Sequence, residues 1–309
     1  MTNTLRKPNA FDLSSLMRQS DSLECLDGLR QAIHGDPLSL MGMASTLFAQ
    51  SHSGAVLEQD GKMRAIARMI HWQEEDFAQL QFISAEDPAN TNLNAIIEAL
   101  LKDVGEWGLT RVMGDMPVNS PYLSAFRKSN FILWASYKAY TFPLQDMGTT
   151  KESQWRTWTS QDFDGMKSVY QTLVASRVRN YEPMTRSKVL GKVLTDEKGK
   201  IVAYVDLDMG TKGLWAQVFM LFEACKTEVL EDLLRQLFAE YGRPVTISAR
   251  SYQAWLRTPL EELGGQAWEE RALLVKHLAL RSPSPETVEE ALFDNAKAKS
   301  GAFSMKTQK

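Results

Sequence analysis

Residues 55–63 read AVLEQDGKM and residues 192–201 read KVLTDEKGKI. Each segment is an apolar pair, a polar turn ending in Gly-Lys, and the start of a second strand. Gly61 and Gly199 are 138 positions apart. The same offset separates Gln79 in Phe77-Ala78-Gln79-Leu80-Gln81-Phe82 from Gln217 in Trp215-Ala216-Gln217-Val218-Phe219-Met220. A register kept over about twenty residues marks an internal repeat, and a repeat constrains the fold before any single motif does.

Outward from these strands, each copy predicts a helix. Leu93, Ile96, Ile97, Leu100, Leu101 and Val104 fall at helical spacing on one face, and Val229, Leu230, Leu233, Leu234, Leu237 and Tyr241 do the same in the second copy. Gly108 and Gly242 follow as left-handed C-terminal caps. Then come a short apolar strand (Arg111 to Met113; Val245 to Ile247), a helix opening near Tyr122 or Tyr252, and a closing strand of alternating pattern (Leu133 to Phe142; Ala272 to Leu280). The offset shrinks to 133 at the helices (Ile97 to Leu230) and to 130 at the tyrosines, so the second copy is the shorter one.

Length and composition agree with two units. The 309 residues at net charge −3, 44% apolar and 24% charged, describe an ordinary globular chain, and a typical domain takes about 150 residues. The expected division is 1–145 and 150–282, joined by the polar stretch Gln145 to Ser153. Residues 283–309 form a tail, expected to be partly disordered, after Ser282-Pro283-Ser284-Pro285. The longest apolar run, Trp215 to Phe222, is far short of the roughly 18 residues of a membrane span. The N-terminus lacks the apolar core of a secretory signal, so a cytoplasmic location with no membrane partner is expected. Cys25 and Cys225 lie 200 residues apart, and His34, His52, His71 and His277 are scattered; neither set has metal-ligand spacing, and no metal is expected.

The near-neutral charge argues against nucleic acid as a partner. A local basic run, Arg177 to Lys192, reads as a solvated face whose first guess at a ligand is a phosphate or an acid. Glu74-Glu75 after His71-Trp72 reads as a pair of solvated turn carboxylates. Trp155, Trp158, Trp215, Trp255 and Trp268 read as core and inter-domain contacts.

The element order, strand pair, central strand, long helix, strand, helix, strand, resembles the GNAT superfamily of acyl-CoA-dependent N-acyltransferases, here in tandem over about 270 residues. Asn119 to Phe131, NSPYLSAFRKSNF, is similar to the family's Asn, helix and closing Gly-Phe. Asp12-Leu13 and Asp162-Phe163 are similar to the acidic opening of its first helix. The resemblance implies an α+β fold, two tandem domains, each with a mixed, mostly antiparallel central sheet flanked by helices.

It also implies acetyl-CoA, or another acyl-CoA, as cofactor and a small-molecule or peptide amine as acceptor. Phe82, Ile83 and Ser84 would then pair their backbone with the pantetheine arm, Thr91 and Asn92 would sit at the phosphate end of the helix, and Asn119 would precede the next helix. The family's pyrophosphate loop is rich in glycine, whereas Ser84 to Asn94 has none and carries Glu86 and Asp87; the second copy, Glu223 to Thr227, is too short for a cradle. The family's acid tyrosine maps onto Phe126 and, in the second copy, Leu260, and its glycine onto Asn130, which leaves Tyr122, one helical turn earlier, as the candidate catalytic acid. Two functions stay open: an N-acetyltransferase with weak or lost acyl-CoA binding, and a non-catalytic binding or assembly module on a degenerate tandem fold. A homo-oligomer is compatible with either.

Overall fold

A computed structural model describes residues 3–9, 11–39, 51–73, 75–148, 153–186 and 190–279. The tail 283–309, Lys188 and Glu74 lie outside the described residues.

The first half opens with β1 (Asn3–Arg6), α1 (Asp12–Arg18), β2 (Glu24–Cys25) and α2 (Gly28–His34). The meander β3 (Ser51–Gln59), β4 (Lys62–His71) and β5 (Ala78–Ala85) follows, then α3 (Leu93–Glu106), β6 (Arg111–Pro117), α4 (Leu123–Lys128) and β7 (Ile132–Phe142). The second half repeats the order: β8 (Trp155–Thr157), α5 (Phe163–Leu173), β9 (Gly191–Thr195), β10 (Ile201–Met209), β11 (Leu214–Met220), α6 (Thr227–Tyr241), β12 (Val245–Arg250), α7 (Arg257–Glu262), β13 (Gln266–Ala267) and β14 (Arg271–His277). The sheet is antiparallel except where β5 runs parallel to β6 and β11 to β12, on either side of the long helices. This is the expected mixed, mostly antiparallel α+β architecture.

The helices form for the reasons their sequences give. All six residues of the α3 stripe are buried, each contributing about 1.5–3 kcal/mol relative to exposure. Asn92 caps its N-terminus. Gly242 ends α6 at φ 58° and Gly108 follows α3 at φ 76°. The two acidic residues matched in the sequence, Asp12 and Asp162, are held in the same way. Arg6 clamps Asp12 through two contacts of 2.6 and 2.7 Å, and Arg156 clamps Asp162 at 2.5 and 2.7 Å. In both halves the same carboxylate also accepts from a backbone N–H three residues earlier, at Asn9 and at Thr159.

The closing strands depart from expectation. Each was expected to complete its own copy, but the sheet runs β1-β3-β4-β5-β6-β14-β7-β12-β11-β10-β9-β8. Strand β14 pairs with β6 through Arg271↔Pro117 to His277↔Arg111 and with β7 on its other side. Strand β7 pairs in turn with β12. Each half therefore lends its last strand to the other. Alternation in sequence reports which faces a strand buries and carries nothing about its neighbours.

Candidate functional site

The resemblance directs attention to the divergence of β5 from β6. These strands pair only at Ala78↔Val112 and Gln79↔Met113, and beyond that point the backbone groups of β5 need other partners, since buried N–H and C=O groups are nearly always paired. The chain supplies them itself. Glu24 and Cys25 of β2 pair with Ile83 and Phe82, Leu26 N donates to Gln81 O at 2.8 Å, and Asp115 N donates to Leu26 O at 2.9 Å. Residues 24–26 thus lie between the two strands.

Phe82 and Ile83, expected to pair with a cofactor, are paired with β2. Ser84 is fully buried, its hydroxyl 3.0 Å from that of Ser22. Tyr122, the candidate acid, is buried; its hydroxyl donates to Ser22 O at 2.6 Å and accepts from Ala85 N at 2.9 Å. The structure therefore brings Phe82, Ile83, Ser84 and Tyr122 together around the 19–26 segment. Thr91 and Asn92 stand apart at the start of α3, where the Asn92 side chain accepts from Ala95 N, and Asn119 is exposed in the turn after β6. The loop before α3 is also internally satisfied. Asp87 Oδ1 accepts from Ala89 N and Asn90 N at 3.2 and 3.3 Å, so a carboxylate of the chain takes the N–H groups that would face a phosphate.

The second half closes its divergence differently. Beyond Gln217↔Ser248 the strands part, and the wholly buried side chain of Gln253 enters: Met220 N donates to its Oε1 at 2.9 Å and its Nε2 donates to Val218 O at 3.1 Å. Trp255 Nε1 donates to Met220 O at 3.2 Å. One glutamine thereby presents the donor and acceptor of an amide to the same strand that an amide-bearing ligand would meet. At the mapped positions Phe126 is buried against Phe131, Leu260 is fully buried, and Asn130 adopts φ 60°, the backbone conformation for which glycine is the ordinary residue.

A cavity of about 620 Å³ opens where the halves meet. The exchanged strands wall it, with Trp134 and Tyr137 from β7 and Leu273 from β14; α2 contributes Arg30, and the second half contributes Tyr181, Asp208, Trp215 and Arg250. Two buried ion pairs hold its floor. Asp115 is bound by Arg271, by Tyr137 Oη at 3.0 Å and by Gly28 N at 3.0 Å. Glu182, fully buried, is bound by Arg250 at 2.7 Å, Gln217 Nε2 at 2.8 Å and Arg186 at 3.3 Å. Burial alone would push the Glu182 carboxyl up, but the Arg250 and Arg186 charges outweigh it and hold the group below its usual range.

Other carboxylates at the cavity are less compensated. Burial, with Asp27 and Asp208 nearby, pushes Glu75 up to about 7. Burial pushes Asp27 up to about 6 despite Arg30 at 3.5 Å, and it raises Asp208 as well. The guanidinium of Arg30 also lies 3.9 Å from the centre of the Trp72 ring. Beside this excess of acceptors stand donors with nothing to donate to. Among the described residues, Nε1 of Trp72, Trp134 and Trp215 and Nη1 of Arg250 have no hydrogen-bond partner. An unmade buried hydrogen bond costs about 1–3 kcal/mol, so four at one cavity are a feature to be accounted for.

A GCN5-related N-acetyltransferase from Sphaerobacter thermophilus superposes with a TM-score of 0.53 over 89% of this chain and 95% of its own, at 12% identity. The overlap spans both halves. The chain has a tandem GNAT fold. A tandem GNAT protein from the clavulanic acid biosynthesis pathway covers 91% of this chain and 100% of its own at 13% identity and a TM-score of 0.46. An acetyltransferase from Pyrococcus horikoshii covers 91% of each chain at 9% identity and 0.46. No protein-family model and no curated protein matches the sequence. At such identities the likeness is one of fold alone. Tested against the geometry, an acyl-CoA does not fit the residues present on this GNAT fold: β2 and Gln253 hold the two strand divergences, and Asp87 holds the loop N–H groups.

Several features of this GNAT fold were beyond the sequence reading. Glu75 is walled into the cavity rather than solvated in its turn. The basic run disperses: Arg186 lines the cavity, Arg179 donates to Val174 O and Gln171 O, and Lys192 is buried in a pair with Glu240. Trp215 is the one tryptophan of those singled out that also lines the cavity, and the spacing of tryptophans alone does not separate it from Trp155, which is simply core.

Proposed function

We propose that this chain is a non-catalytic binding module whose two related halves, about 1–145 and 150–282, enclose a small-molecule site, and that acyl-CoA has no part in its action. One observation carries the reading: in both halves the backbone groups that a pantetheine arm would pair with are already bonded to the protein, to β2 in the first and to Gln253 in the second. The inter-half cavity supports it further, since a concave, aromatic-lined space of several hundred Å³ with a few convergent polar groups is the usual form of a ligand site.

The competing reading is an acetyl-CoA-dependent N-acetyltransferase acting on an amine, with Tyr122 as acid. It is supported by the fold. It requires residues 19–26 to leave the β5–β6 divergence, which would break the Tyr122–Ser22 and Cys25–Phe82 contacts together. Calorimetric titration of the full chain with acetyl-CoA separates the two. No binding is expected at millimolar cofactor, and a dissociation constant in the low micromolar range would overturn the proposal.

A further inference from the structure

The charged groups at the cavity between the halves are paired, with two exceptions among the described residues. Arg250 and Arg186 both bind Glu182, Arg271 binds Asp115, Arg111 binds Asp76, and Arg30 lies 3.5 Å from Asp27. Glu75, in the β4–β5 turn, and Asp208, at the end of β10, line the same cavity, and among the described residues neither has a hydrogen bond or an ion pair. They come from opposite halves. Burial holds both above the usual carboxylate range, and the charge of Asp208 adds to the effect at Glu75. Half-buried carboxylates without donors cost stability that a ligand bearing N–H groups would restore.

The accessible walls are flat rings. Trp72, Phe77, Trp134 and Tyr181 line the cavity and are half-buried, and the Trp134 and Tyr181 rings lie 5.7 Å apart. The cavity already stacks one planar nitrogen group: the guanidinium of Arg30 lies 3.9 Å from the centre of the Trp72 ring, with its Nε 3.5 Å from Asp27. A stacked plane whose N–H edge meets a carboxylate is therefore a geometry these residues hold. An ammonium would bring a full charge out of water onto carboxylates that burial has driven toward the neutral form, and a ring without N–H groups would leave both carboxylates unmet. Resting on the binding reading above, we infer that the cavity takes a flat heterocycle with two adjacent N–H donors on one edge, the amino-oxo pyrimidine unit shared by guanine and the pterins, stacked on the aromatic walls with that edge toward Glu75 and Asp208. Paired N–H bonds to a carboxylate are strong and directional. Stacking tolerates any base, so the edge carries the selectivity. The volume, about 620 Å³, leaves room for a sugar or a side chain beside the ring.

Calorimetric titration and thermal shift of the full chain test this. The probes are guanosine and pterin, which carry the two donors; inosine, which lacks the amino group; adenosine, whose edge pairs a donor with an acceptor; and butylamine, which has no ring. Guanosine or pterin is expected to bind and to raise the melting temperature, the tighter of the two naming the source of the ring, with inosine and adenosine weaker by about tenfold or more. Asp208→Asn is expected to weaken the donor-edged ring about tenfold and leave inosine unchanged. Trp134→Leu, which removes a stacking face, is expected to weaken every ring probe alike.

Inosine or adenosine binding as well as the donor-edged rings, butylamine binding more tightly than they do, or no ring producing heat overturns the inference. Acetyl-CoA run in parallel separates the two failures: micromolar acetyl-CoA binding with adenosine silent sinks the non-catalytic reading, whereas silence from every probe sinks only the ligand assignment.

Discussion

Tyr122 shows how a residue of the right chemistry is committed elsewhere. Its hydroxyl donates to Ser22 O and accepts from Ala85 N, tying the 19–26 segment to the end of β5. Tyr122→Phe leaves Ala85 N and Ser22 O unmet, so a loss of about 1–3 kcal/mol is expected in urea denaturation. An unchanged midpoint would speak for a free hydroxyl. Glu75 gives the opposite kind of test. Its folded carboxyl is pushed up to about 7 by burial and by Asp27 and Asp208, against about 4.3 in an unfolded chain. The folded state thus holds its proton longer: the stability cost is absent below about pH 4 and grows as pH rises through 7. In the absence of ligand, Glu75→Gln should raise the melting temperature by about 2–4 °C at pH 8 and change it little at pH 4, by differential scanning fluorimetry. Sequence nominates Tyr122 by its type and spacing, whereas Glu75 reads there as a solvated turn carboxylate. What it could not show is what each touches, since Ser22 is 100 positions from Tyr122 and Asp208 is 133 from Glu75.

At the level of elements, the helices were legible and the fillings were not. The stripe from Leu93 to Val104 names its own buried face, and all six residues are buried as its period requires. Strand β2 has only two residues and Gln253 interrupts helical geometry at φ −131°, so neither leaves a periodic signal. Gln253→Leu keeps the volume and removes the amide, leaving Met220 N and Val218 O orphaned; an expected cost of about 2–4 kcal/mol would appear as a lower urea midpoint. The contact of α2 with the second half is equally specific. A Cβ on Gly210 would stand 2.3 Å from the Ile33 carbonyl oxygen, and Lys212 N donates to the same oxygen at 2.8 Å. Gly210→Ala must therefore displace α2, which carries Arg30, and a destabilisation of about 1–3 kcal/mol is expected.

The whole molecule is organised by the exchange of β7 and β14. The repeat in the sequence predicts two related halves, yet the same pattern fits two closed units or two interlocked ones, because pairing partners are a property of the assembled sheet. Without β14, the first half would expose the edges of both β6 and β7. Residues 1–148 and 149–309 produced separately are expected to aggregate or stay unfolded, and to recover native circular dichroism and co-elute in size-exclusion chromatography when produced together. A monomeric, folded 1–148 would show that the first half closes on its own. The exchange also builds the cavity, since Tyr137 and Trp134 stand on the lent strand β7 and Arg250 on its neighbour β12.

The exchange sets a clock on synthesis. Strand β7 ends at Phe142 and its partner β14 ends at His277, 135 residues later, a delay of roughly 7–27 s at translation rates of about 5–20 residues per second. For that interval the nascent first half carries two open strand edges and an unfinished cavity wall. Slowing translation between β7 and β14 is therefore expected to lower the soluble yield, measured in the lysate, without altering a single native contact.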